Sequence, residues 1–139
     1  HLVHCSVAHG TLYRPELFDY IQTPEDANPS LDVMPLPVCF VGHSHVPVTL
    51  MRLADDPTRT AYTVDPEIDV DEAARALINV GSVGQPRDGD SRASYGILTL
   101  GKEISFDLRR LYYDVETTYK EIISAKLPPL LGERLFRGR

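Results

Sequence analysis

The 139-residue chain is long enough to bury a core and short enough to be one domain or part of one. With 42% hydrophobic and 24% charged residues its composition is that of an ordinary globular protein, and no run is long and apolar enough to span a membrane. A net charge of −6 disfavours loose attraction to nucleic acid or to an anionic membrane surface, and with no signal peptide visible the default compartment is the cytoplasm.

Residues 1–8 are mostly apolar and β-prone and predict a buried strand ending at His9-Gly10. The chain opens on this strand with no Met before it, which predicts that an N-terminal portion of the domain is absent from the sequence. Residues 15–21 begin with Pro and Glu and predict a short helix. Residues 23–37 carry four prolines and few periodic apolar positions, and read as a connection. Val38-Cys39-Phe40-Val41 is a continuous apolar run, expected as a strand buried on both faces that delivers the chain into Gly42-His43-Ser44-His45.

Strands are expected over 48–53 and 60–64, separated by the breaker Asp55-Asp56-Pro57. Residues 65–76 read as a loop or a short helix. Residues 77–80 then form a strand that enters the Gly-rich segment 81–90. Residues 94–100 and 103–110, joined across Gly101-Lys102, predict a hairpin. Asp114 is placed to cap a helix through residue 125, and residues 128–137 predict a last short helix. Cys5 and Cys39 lie in apolar runs and read as small core hydrophobes; they form no CxxC unit.

Five histidines carry the chemistry: His1, His4, His9, His43 and His45. His43 and His45 follow an apolar strand, with Gly42 allowing a tight turn before them. Side chains at i and i+2 of a regular strand share one face, so the spacing predicts two imidazoles on one side, half of a transition-metal site. His9 stands in the same context, a strand followed by His and Gly, and adds a third ring. His4 is five residues from His9 and is expected on the opposite face, as a structural or exposed residue; His1 is a chain end and carries no argument.

Gly42-His43-Ser44-His45 resembles the GHxH motif of the calcineurin-like metallophosphoesterases, and His9 matches the single His that the family places after an earlier strand. The run Asn79-Val80-Gly81-Ser82-Val83-Gly84-Gln85-Pro86-Arg87-Asp88 is similar to a segment of the bacterial phosphodiesterase-like branch, as are Arg92-Ala93-Ser94-Tyr95 and Tyr113-Asp114-Val115-Glu116. The resemblance implies an α/β fold, a four-layer α/β/β/α sandwich, of which residues 1–139 are the C-terminal part of one domain, giving mainly the second sheet and closing helices. It also implies a dinuclear centre of two divalent ions (Mn, Fe or Zn) that hydrolyses phosphate mono- or diesters, with His9 and His43 on one ion and His45 on the other. The substrate would be a small phosphate ester or a phosphoprotein.

The family's Asp-x-His and Gly-Asn-His motifs do not occur here, and Gly89-Asp90, the only Gly-Asp pair, follows GHxH and so cannot be the family's Gly-Asp. The expectation is therefore that these residues alone are inactive, the bridging aspartate lying elsewhere. An inactive metallophosphoesterase-like scaffold is the alternative reading. Nuclease action would need a basic face, and the C-terminal Arg109, Arg110, Lys120, Lys126, Arg134, Arg137 and Arg139 read as solvated helix faces instead.

Residues 81–89 read either as a phosphate cradle built from backbone N–H groups or, preferentially, as a tight connection whose glycines serve positive-φ turns. Arg87 is the candidate phosphate contact, with pairing to Asp88 or Asp90 as its alternative. Asn79 is expected to satisfy local backbone groups, and Tyr13 and Tyr95 to pack.

Overall fold

The computed structural model describes residues 5–71 and 73–139, so the expectations placed on His1 and His4 lie outside the described residues. In chain order the elements are β1 (Cys5–Val7), α1 (Pro24–Val33), β2 (Val38–Val41), β3 (Val48–Leu53), β4 (Thr60–Thr63), β5 (Glu67–Asp69), β6 (Ala73–Asn79), β7 (Ala93–Leu100), β8 (Ile104–Leu111), α2 (Val115–Ser124) and α3 (Pro129–Glu133). Single 3₁₀ turns occupy Pro15–Leu17 and Arg134–Arg137.

Five strands form one sheet in the order β1-β2-β6-β3-β4, and three form a second in the order β5-β8-β7. β1, β2 and β6 run parallel, whereas β3 is antiparallel to both β6 and β4. Among the described residues the fold is thus α/β with two sheets and three helices, as the sequence pattern implies.

The apolar run of β6 is continuous because both of its faces are covered. Leu77 joins Cys39, Val41 and Leu50 under α1, where Ala27 and Leu31 meet them. Ala76 and Ile78, on the other face, join Val38 and Met51 against Ile68 and Phe106 of the second sheet. Each wholly buried Leu or Ile there contributes about 2 kcal/mol to holding the sheet in place.

Residues 23–37 differ from expectation, because they contain α1 rather than a bare connection. Thr23 and Asp26 form a reciprocal capping box, and Pro24 occupies the first turn, where its missing N–H costs nothing. Only Pro29 lies inside the helix, while Ala27, Ser30 and Leu31 are buried at helical spacing. Of the two readings of residues 65–76, the short helix does not occur among the described residues: β5 pairs with β8, and β6 starts at Ala73.

Residues 15–21 shorten to one 3₁₀ turn, since Phe18 leaves it in the left-handed region at φ 53°. β1 is an exposed edge strand rather than a buried one among the described residues, with Val7 76% exposed. Cys5 is accordingly exposed, and only Cys39 is a core residue, its thiol pushed up to about 11 by burial.

The hairpin of β7 and β8 forms, but Leu100 lies opposite Ile104, so three residues, Gly101, Lys102 and Glu103, make the turn in place of Gly101-Lys102 alone. Asp114 caps α2 by accepting the Thr117 N–H at 3.0 Å. α2 and α3 pack through Tyr119, whose ring meets Phe136 at 5.6 Å and closes over Gly132. No helix among the described residues is long and apolar enough to cross a membrane.

Candidate functional site

β1, β2 and β6 run parallel, so the residues after His9, after Val41 and after Asn79 leave the sheet at one end. The Gly42 N–H donates to the His9 carbonyl at 2.9 Å, which ties the first two of these loops together. β2 stops at Val41, however, and both His43 (φ 65°) and His45 (φ 61°) are left-handed. The i, i+2 rule for strands therefore does not apply to them. Such backbone costs roughly 1–2 kcal/mol per residue and persists only where its surroundings enforce it.

Asn79 does the enforcing. Its amide, 2% exposed, donates to the Gly42 carbonyl at 2.7 Å and to Ser44 Oγ at 2.8 Å, and accepts the Gly81 N–H at 2.9 Å. The expectation that Asn79 serves local backbone groups holds for the Gly81 N–H alone; its other two partners, Gly42 and Ser44, belong to the distant histidine loop.

The two rings turn to different partners. His43 Nδ1 faces His9 Nε2 at 3.0 Å, so one of the two nitrogens must carry a lone pair toward the other. His45 Nδ1–H donates to the Gln85 carbonyl at 2.8 Å, which leaves the lone pair on Nε2. All three histidines line one cleft of about 510 Å³, whose wall includes Phe40, Val80, Val83, Tyr95 and Leu98.

The donor set can be tested against the metal ions expected. Two imidazole nitrogens bound to one cation at about 2.1 Å each lie roughly 3 Å apart when adjacent. His9 Nε2 and His43 Nδ1, at 3.0 Å, fit that spacing. His45 offers a separate nitrogen whose tautomer is already set. Among the described residues no group of three or more His, Cys, Asp or Glu is placed to hold a metal ion, so the three imidazoles do not make a metal site by themselves.

Two aromatic side chains at this site were not singled out from sequence. Tyr20 lies over His43, ring centres 4.3 Å apart and 32° from parallel. Phe18 approaches His9 at 5.9 Å and His43 at 6.2 Å. On a helix spanning 15–21 these two would point apart; the 3₁₀ turn and left-handed Phe18 bring both to the imidazoles.

In the segment after Asn79, the N–H groups of Gly81, Gln85, Arg87 and Gly89 are already bonded, to Asn79 Oδ1, Ser82 Oγ, the His45 carbonyl and the Gly138 carbonyl. Gly81 and Gly89 take φ 78° and 87°, the positive-φ positions that a tight connection gives to glycine. Arg87 donates to Gln85 Oε1 at 2.9 Å, and its Nε is buried without a partner. It pairs with neither Asp88, held by Arg110, nor Asp90, whose carboxylate meets Arg92 at 2.6 Å. The Arg92 hydrogen bonds, aided by Arg110, hold the Asp90 carboxyl down to about 2. Tyr13 and Tyr95, expected to pack, are 40% and 41% exposed.

No family model matches the chain. An uncharacterized protein of Methanocaldococcus jannaschii is 36% identical over 132 residues, which cover 95% of this chain and 51% of that protein. The crystal structure of a metallophosphoesterase from Sphaerobacter thermophilus superposes with a TM-score of 0.80 at 34% identity, covering 97% of this chain and 55% of that one. The chain thus spans about half the length of each.

Proposed function

We propose, for a chain that belongs by fold to the metallophosphoesterases, that it supplies the imidazole half of a centre hydrolysing phosphate mono- or diesters. The observation that carries this reading is the His9–His43 pair, two facing nitrogens 3.0 Å apart, with His45 in the same cleft. His9 and His43 would hold one divalent ion (Mn, Fe or Zn) and His45 a second. Bound there, the ions would supply positive charge to polarise the phosphoryl group and lower the pKa of a water molecule.

The protein's own contribution is positional. The Gln85 carbonyl fixes the tautomer of His45, Arg87 braces the Gln85 side chain, and Asn79 holds the backbone of the whole histidine loop. Carboxylate ligands would have to come from outside these residues, so the activity belongs to the full-length protein. Its substrate would be a small phosphate ester or a phosphoprotein.

The test uses the full-length protein. Calorimetric titration with Mn²⁺ or Zn²⁺ should show binding, and p-nitrophenyl phosphate or bis(p-nitrophenyl) phosphate should turn over only with metal present. His43→Ala should lower kcat/KM by roughly 10³-fold while Tm moves by only a few degrees. Full activity of the variant at saturating Mn²⁺ would refute the ligand assignment. A wild-type protein that neither binds metal nor hydrolyses either ester would leave a binding scaffold as the better reading.

A further inference from the structure

The loop after β6 is tied at its outer end to a part of the chain remote in sequence. Gly89 N–H donates to the carbonyl of Gly138, the residue that ends the last 3₁₀ turn, at 2.9 Å. The two backbones lie closer than a side chain allows. A Cβ on Gly138 would come within 2.6 Å of the Asp90 carbonyl carbon and 2.7 Å of its nitrogen, and Gly138 is left-handed at φ 61°. The turn is seated in its own right: Leu135 is buried, and Phe136 meets Tyr119 of α2 at 5.6 Å.

The residues just before Gly89 grip His45 at its backbone and at its ring. Arg87 N–H donates to the His45 carbonyl at 3.1 Å, and the Gln85 carbonyl accepts from His45 Nδ1 at 2.8 Å. Pro86 between them is wholly buried and has a fixed φ, so this stretch moves as a unit. Arg110 and Arg92 also hold the loop, but through the carboxylates of Asp88 and Asp90. Gly138 holds its backbone.

We propose that Gly138 is a positioning residue for His45. Its carbonyl and its lack of a side chain seat residues 85–89, which keeps the Gln85 carbonyl on His45 Nδ1 and leaves the lone pair on Nε2. The C-terminal turn thereby sets which nitrogen His45 offers to the cleft. The positioning stands on geometry; only its consequence for metal binding rests on the reading of His45 as a ligand.

The experiment uses the full-length protein, freed of metal with EDTA. ¹⁵N NMR of the imidazoles at about pH 8, where an ordinary histidine is neutral, reads each tautomer. Wild-type His45 should carry its proton on Nδ1 alone. Gly138→Ala and Gly138→Asn both add a Cβ, and the second tolerates the left-handed backbone. Each should admit the Nε2–H tautomer of His45 and leave the His9 and His43 resonances in place. Ile68→Val, a core truncation in β5, lowers Tm without touching the loop and should change no tautomer. An unchanged His45 in both Gly138 variants, or the same change in Ile68→Val, overturns the positioning.

Hydrogen exchange in the wild type needs no substitution. The Gly89 and Arg87 amides should open together, with one denaturant dependence. A Gly89 amide that exchanges freely while Arg87 stays protected overturns the link. Calorimetry then reads the consequence: Gly138→Ala should weaken Mn²⁺ binding about tenfold. An altered tautomer with unaltered affinity supports the positioning and removes His45 from the ligands. A wild type that binds no Mn²⁺ ends the hydrolytic reading, and the tautomer still decides for or against Gly138.

Discussion

Two loops leave the same end of the five-stranded sheet and do opposite things. After β2, residues 42–45 hold two non-glycine residues in left-handed conformations and turn their rings toward a cleft. After β6, residues 81–89 place glycines at the positive-φ positions and direct four N–H groups to protein acceptors. The first loop is strained and open to the cleft; the second is relaxed and the more closed of the two, with four of its N–H groups held by protein acceptors. The second holds the first: Gln85 orients His45, Arg87 N–H bonds the His45 carbonyl, and Gly81 N–H anchors the Asn79 amide that grips Gly42 and Ser44. A Gly-rich run beside the histidine cleft therefore shapes that cleft by holding its neighbour's backbone and rings.

The sharpest way to break this division is at the residue common to both loops. Asn79→Ala removes two donors and one acceptor from a buried position and leaves the Gly42 carbonyl and the Gly81 N–H without their partner. The expected cost is about 3 kcal/mol, read as a lower urea midpoint. Activity of the full-length protein should fall further than lost stability explains, because the left-handed His43 and His45 lose their enforcement. A stability change under about 0.5 kcal/mol would mean the loops hold their shapes independently.

Within the closed loop the two positive-φ glycines should separate. A Cβ at Gly81 would meet Ser94 Oγ at 2.9 Å and Pro47 Cδ at 3.2 Å, whereas one at Gly89 meets nothing within 4 Å. Gly89→Ala carries only the left-handed penalty of about 1 kcal/mol, while Gly81→Ala adds crowding and should cost about 2 kcal/mol or more. Equal costs in thermal melts would show that Ser94 can shift and that this loop is less firmly built than its hydrogen bonds suggest.

The contrast between the loops also explains what was legible in the sequence. Strands such as Val38–Val41 and Val48–Leu53 follow from apolar runs bounded by breakers, because burial dictates both. The histidines follow from a residue type and a motif, and the glycines of residues 81–89 from turn chemistry. The route by which the rings converge is not readable, since the spacing suggests a strand where the backbone is left-handed. Phe18 and Tyr20 stay hidden because their placement depends on one residue's φ and on the space left by Gly10. α1 is missed because prolines were weighed as breakers, although Thr23 and Asp26 spell its capping box in the sequence.

The smallest effect expected lies at the outer end of the closed loop. Arg92, with Arg110 nearby, holds the Asp90 carboxyl at about 2, below its ordinary 3.8. A carboxylate depressed in the folded state adds stability above its unfolded pKa and loses it as pH falls through the folded one. The contribution is therefore complete above about pH 5 and decays between pH 4 and pH 2. Asp90 is partly open to solvent, so screening leaves roughly 1 kcal/mol. Asp90→Asn should cost about that much at pH 7 and nothing near pH 2, so the two urea-midpoint curves should converge on acidification. Asp26 and Asp114 also have lowered values and tilt both curves alike, so the readout is the difference between them. A gap that persists unchanged to pH 2 would assign the loss at Asp90 to the hydrogen bond its Oδ1 accepts from the Arg92 N–H at 2.9 Å, and not to its charge.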